Sequence, residues 1–268
     1  MAKDETRGGD WRSADAYRPL LDADASAWAW EFARRGGDAP PPDLCFAGPG
    51  PERGGAPTAM WRFEADPAVP VFQHLPAAPG QSGVLNLRSL NACVLLAQSQ
   101  DGDQHVLIAD GDQRLRFAVV GGDLLQGPAG LGFVLPGPEA GGAWIDAVRR
   151  LVVLRDTGRL PRAARTSRAR AARWMEAVRA FDARRSGASQ REIARLIFGE
   201  ARVAADWNGP SDYMRMRVQR LVRSAEQLVA GGYRAFFGLR PPAQTPRITR
   251  VWRSDGWPRA FDKVVDGS

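Results

Sequence analysis

In the second half of the chain apolar residues recur at three- and four-residue steps, the period of helices buried along one face. Between Ser189 and Gly199 the apolar set is Ile193, Ala194, Leu196 and Ile197, while Gln190, Arg191 and Arg195 stay polar. Ser189 suits the N-cap, Glu192 three residues on completes a capping box, and Gly199 ends the run. A longer stripe follows Gly209-Pro210: Met214, Val218, Leu221, Val222, Ala225, Leu228 and Val229. Ser211 is its expected cap, Asp212 suits the positive end of the helix dipole, and Gly231-Gly232 stop it. Arg215, Arg217, Gln219, Arg220 and Arg223 lie off the stripe. The segment from Glu200 to Pro210 separates the two helices, about ten residues where a tight helix-turn-helix needs three or four. Either a short extra helix lies around Ala201 to Asp206, or the geometry is a variant.

The first half has a different pattern. Short β-prone runs occur at Met60–Phe63, Val69–His74, Val84–Arg88, Cys93–Gln98, Gln104–Asp110 and Leu115–Val120. The tetrapeptide Asp-Gly-Asp-Gln, at 101–104 and again at 110–113, is a hairpin signal between the last three, so they are expected to form an antiparallel meander. Upstream, residues 10–35 concentrate Trp11, Tyr17, Leu20, Leu21, Trp28, Trp30 and Phe32, with a compact helix over Ala25 to Arg35. Core packing is the usual fate of such aromatics, and a docking surface for a partner is the alternative. Residues 36–58 and 127–142 are rich in Gly and Pro and predict a linker and loops. Helices are expected over Ala143 to Leu154 and Ala171 to Arg185, the latter a scaffold with Trp174, Ala177, Val178 and Phe181 on one face. The aromatics of 232–238 would close that small core.

The predicted class is α+β: a small N-terminal helical module (10–35), a linker (36–58), a β-rich part (59–160), a helix-turn-helix-like helical bundle (161–238) and a basic tail (239–268).

Charge sharpens the picture. The 268-residue chain carries a formal +7. From Arg159 to Arg223 there are 16 Arg, no Lys and 6 Asp plus Glu, a surplus of +10, which leaves −3 for the remainder. High-GC coding accounts for the preference for Arg over Lys but not for the clustering. Positive charge held in one segment is the footprint of a polyanion partner. In a helix-turn-helix arrangement the first helix braces the phosphate backbone and the second enters the major groove. Arginine serves both tasks, through bidentate bonds to phosphate and to guanine edges. A solvated outer helix face is the plain alternative. By helix phase, Gln190 and Arg191 would brace a phosphate, and Ser211, Tyr213, Arg215, Arg217, Arg220 and Arg223 would face DNA.

Other chemistry lacks material. Cys45 and Cys93 have no metal spacing, and His74 and His105 are the only histidines, so no metal or cofactor is expected. There is no phosphate-binding loop and no nucleophile elbow, and an enzyme is not expected. The chain has no apolar run near membrane-spanning length, so it is expected to be cytoplasmic and to have no membrane partner.

The segment ASQREIARLIFG, followed by SDYMRMRVQRLVRSAEQLVAGGYR, resembles the DUF2285 domain, as does the strand-rich DGDQHVLIAD and RLRFAVV stretch. DWRSADAYRPLLDADASAWAWEFARR resembles the DUF6499 module. Together the resemblance covers about 10–35 and 60–237, and departs after AWEFARR, where an Asn-Pro-x-Tyr-like stretch is the commoner continuation. It implies a transcriptional activator that binds double-stranded promoter DNA and switches on excision genes of an integrative and conjugative element. Single-domain relatives act as antiactivators by binding the activator, so an antiactivator or a transcription-machinery protein is a candidate further partner, and the rival reading is an interaction module that binds a regulator rather than DNA. RNA binding is a third reading of the basic segment.

Overall fold

The computed structural model describes residues 10–37, 39–48, 57–78, 80–135, 137, 141–163, 166–209 and 211–238. The tail expected at 239–268 lies outside them. The class is α+β, as expected.

Two short strands, β1 (Leu44–Gly48) and β2 (Thr58–Trp61), pair antiparallel. Five more, β3 (Val71–Pro76), β4 (Cys93–Gln98), β5 (Gln104–Asp110), β6 (Gln113–Val120) and β7 (Ala129–Val134), form one sheet in the order β4-β5-β6-β3-β7. The meander β4-β5-β6 is antiparallel, as expected, with Leu107 opposite Leu95 and Arg116. β3 joins it parallel to β6, and β7 closes the edge antiparallel to β3.

Three sequence expectations need correction. Part of the stretch expected to be a linker is strand β1, because Cys45 and Phe46 have apolar ground to cover: Met60, Leu107 and Ala109. Part of the 127–142 stretch expected to be loop is β7, where Gly130 lies so close to β3 that an added Cβ would stand 3.2 Å from Leu75 Cβ. Val84–Arg88 is not a strand. Leu85 makes a single bridge to Ala129, and Leu87–Ser89 is a 3-10 turn capped by the Asn86 side chain.

One face of the large sheet (Val106, Ile108, Leu115, Phe117, Val119) packs on helix α2 (Gly141–Thr157) through Leu151 and Leu154. The other face meets the β1–β2 hairpin through Leu107 and Ala109. β5 is therefore buried on both sides.

The remaining helices form a second body. They are α1 (Ala25–Ala33), α3 (Arg168–Arg185), α4 (Gln190–Phe198), α5 (Glu200–Asp206) and α6 (Tyr213–Val229), with 3-10 turns at Asp15–Asp22 and Gly232–Phe237. The N-terminal aromatics are core, not a docking surface. Trp28 and Phe32 are fully buried, with Trp174 5.4 Å from Trp28 and Phe236 5.7 Å from Phe32. Trp61 of β2 enters the same core against Tyr233 and Phe237 and donates from Nε1 to the Ser26 carbonyl.

Beside that core lies a buried ionic cluster. Arg35 donates to both oxygens of Asp182 at 2.8 Å and to Glu31 Oε2 at 2.8 Å, and also contacts the Glu31 carbonyl. The Tyr17 hydroxyl donates to Asp182 at 2.8 Å. Burial and the Asp182 charge push the Tyr17 phenol well above its usual range, so it stays a donor. Burial would raise Glu31, but Arg35 and Arg34 together overcome it and hold the carboxyl low. Removing one member of such a set leaves a buried charge uncompensated. Asp182→Ala is expected to cost about 3–5 kcal/mol, measured by urea unfolding followed through tryptophan fluorescence, and a second change, Arg35→Met, should restore much of the loss.

Asp66 is buried near Asp24, accepting from Ser26 Oγ at 3.3 Å, and burial pushes its carboxyl up to about 6. A raised carboxyl holds its proton in the folded state where the unfolded chain has lost it. The stability it contributes is present at acid pH and is lost as pH rises through 6. Asp66→Asn should remove that loss, so the gap in melting temperature over the parent should widen from pH 4 to pH 7 and then level off.

Candidate nucleic-acid interface

The capping box anticipated at Ser189 is formed: Ser189 Oγ accepts from Glu192 N at 3.3 Å and Glu192 Oε2 accepts from Ser189 N at 2.8 Å. The Ser189 N–H, together with the Ser189 hydroxyl, which also donates to Glu192 Oε2 at 2.8 Å, favours the ionised Glu192 and holds its carboxyl below the usual range. Ile193 and Ala194 turn inward onto Ala180, Ala183, Val203, Met214, Val218 and Val222. Gly199, at φ 84° and ψ 155°, lets the chain turn at once into α5, the short helix expected between the two longer ones. Only glycine adopts that backbone readily. α6 begins one residue beyond Asp212. Ser211 does not cap it in the expected way, but its Oγ accepts from Tyr213 N at 3.3 Å.

The stripe on α6 is buried as read, with Met214, Val218, Val222 and Ala225 inside. Opposite it, Tyr213, Met216, Arg220 and Arg223 form an exposed ridge at helical spacing, Tyr213 56 % and Met216 47 % accessible. Arg220 and Arg223 have no hydrogen-bond or ion-pair partner among the described residues.

Arg215 and Arg217 are placed differently, about 160° apart around the axis at 3.6 residues per turn. Arg215 is half-buried, donating to Asp212 Oδ1 at 2.8 Å and to the Trp207 carbonyl at 3.2 Å, with its guanidinium 5.5 Å from the Trp207 ring centre. Arg217 is exposed, 3.7 Å from Glu176 of α3. Gln190 and Arg191 are exposed on the first turn of α4. The eight predicted residues therefore fall into three groups: the outward ridge with the adjoining Ser211, the two flanking arginines, and the start of α4.

The sequence reading passed over Arg173, exposed on α3, because that helix was read as scaffold. Arg12 was also missed. Its guanidinium lies 4.0 Å from the ring of Trp11, which is buried with Ala188 and Ile193 beside the α4 cap. The arginine cluster of 159–223 includes Arg173, whereas nothing in the sequence marks Arg12.

Among the described residues no group of His, Cys, Asp and Glu is arranged to hold a metal ion, and no helix is long and apolar enough to cross a membrane.

A basic, exposed helix carried on a capped helical scaffold is the architecture of a DNA-binding module. Residues 134–237 match the family model RovC_DNA-bd, described as T6SS, Transcription factor, DNA binding domain. The match supports a DNA-binding transcription regulator domain over α2 to the Gly232–Phe237 turn. Comparison with curated proteins gives no match.

The turn between α4 and α5 depends on Gly199. Gly199→Ala has open space for its methyl group but a disallowed backbone, and should cost about 1–3 kcal/mol, measured as the shift of the urea midpoint at unchanged slope.

Proposed function

We propose that the chain is a sequence-specific transcriptional regulator that binds double-stranded DNA, with no catalytic role. Its interface is the outward ridge of α6 together with Gln190 and Arg191 at the start of α4. The observation that carries this is the pair Arg220 and Arg223, two exposed guanidinium groups without partners among the described residues, in a segment with a surplus of +10. Guanidinium groups in that state are available for bidentate bonds to phosphate or to guanine. Arg215 and Arg217 would join from the flanks on exchanging their present carboxylate neighbours for phosphate.

In its finer form the proposal is an activator of excision genes on an integrative and conjugative element, working in the cytoplasm. The support is the DUF2285 and DUF6499 resemblance of 10–35 and 60–237. The T6SS named in the matched family's description supplies a second class of promoter to test. A module that binds a regulator in place of DNA gains no support from the N-terminal aromatics, which are enclosed.

Gel-shift titration against duplexes from both promoter classes tests the proposal. With about five phosphates neutralised, log K should fall against log salt with a slope near −4 to −5. Arg223→Ala should weaken binding by about 1–3 kcal/mol, as for a base-reading arginine, Arg220→Ala should weaken it further, and the double variant should leave the circular dichroism unchanged. Binding that ignores salt, or a preference for single-stranded RNA, would overturn the reading.

A further inference from the structure

α3 and α6 run antiparallel. Ala180 and Ala183, late in α3, share a core with Met214 and Val218, early in α6; Ala171, Ala177 and Val178 share one with Ala225, further along. On the solvent side Glu176 meets Arg217 across the seam at 3.7 Å, and that contact sets the register. One turn back along α3 stands Arg173, and one turn on along α6 stands Arg220. Because the helices are antiparallel, these two steps go the same way along the seam. Arg173 is therefore set against the turn of α6 that holds Arg220 and Ser224.

Both side chains are exposed, and neither has a hydrogen-bond or ion-pair partner among the described residues. The neighbouring carboxylate, Glu176, is engaged by Arg217. Three guanidinium groups with the single Glu176 carboxylate beside them leave the seam with a surplus of positive charge. An anion held between them would be attracted by all three.

We propose that Arg173, Arg217 and Arg220 form a phosphate-binding rail across the α3–α6 seam, so that α3 grips the DNA backbone as well as supporting α6. The inference rests on the DNA-binding reading above and extends the interface to a helix outside the predicted site. A rail of this kind holds phosphate whatever the base sequence, and Tyr213, Met216 and Arg223 on the outer ridge are left for the grooves.

The test uses the full chain and a short duplex of random sequence, titrated at several salt concentrations. Arg173→Gln is compared with Arg149→Gln, a control that removes the same charge from the outer face of α2. The expected result is a salt slope less steep by about 0.9 for Arg173→Gln, a several-fold loss of affinity equal across sequences, and a melting temperature that holds or rises as the repulsion is relieved. Arg149→Gln should leave slope and affinity unchanged. Equal losses in both variants, or a lower melting temperature for Arg173→Gln, would overturn the rail. So would an unchanged slope for Arg173→Gln when Arg220→Gln reduces it, and in that case DNA binding through α6 would still stand. If the parent chain fails to bind at low salt, the DNA-binding reading itself falls.

Discussion

The helical body depends on the carboxylate of Asp182. It accepts two bonds from Arg35 and one from Tyr17, so one side chain of α3 fixes both the Asp15–Asp22 turn and the end of α1. Arg185 adds a bond from the same helix to the Arg35 carbonyl, and Arg179 donates to the Trp11 carbonyl. Enclosed ions contribute little net stability against an apolar substitute, but they tolerate very few alternative geometries. The bonds of the cluster join the N-terminal segment to α3 in one placement. They set where the N-terminal segment lies along α3, and hence how Trp28 and Phe32 enter the core that α6 also shares.

The consequence is a helical body assembled from distant parts of the chain. Its cores draw on Trp11, Tyr17, Trp28, Phe32 and Trp61, all of which precede residue 134, where the family match begins. Conversely α2, inside the match, belongs to the sheet. Arg116 of β6 ties the two bodies together, donating to Asp24 at the cap of α1 and to the Ala59 carbonyl.

Local signals were legible in the sequence. The capping box at Ser189, the break at Gly199 and the stripe from Met214 to Ala225 are short-range patterns with one physical solution each, and the meander was fixed by its two Asp-Gly turns. The missed elements depend on partners far along the chain. β1 and β7 are strands because β2 and β3 lie beside them, and nothing within Gly-rich sequence announces such a neighbour. Helix phase placed Arg220 and Arg223 outward. It could not reveal that the Arg215 guanidinium lies against the Trp207 ring on the preceding connection, or that Arg217 meets Glu176 of a different helix. Pairing between helices is decided by tertiary register, which a single periodic stripe does not contain.

One compositional fact of the helical body has a further meaning. From Arg159 to Arg223 every cation is arginine. A guanidinium keeps its proton throughout the physiological range, so the positive field of this body does not fade in alkaline surroundings as an amine's can when it is desolvated. The same stretch offers no amino group to an acetyl donor. Within this stretch the positive charge is therefore beyond the reach of lysine-directed modification.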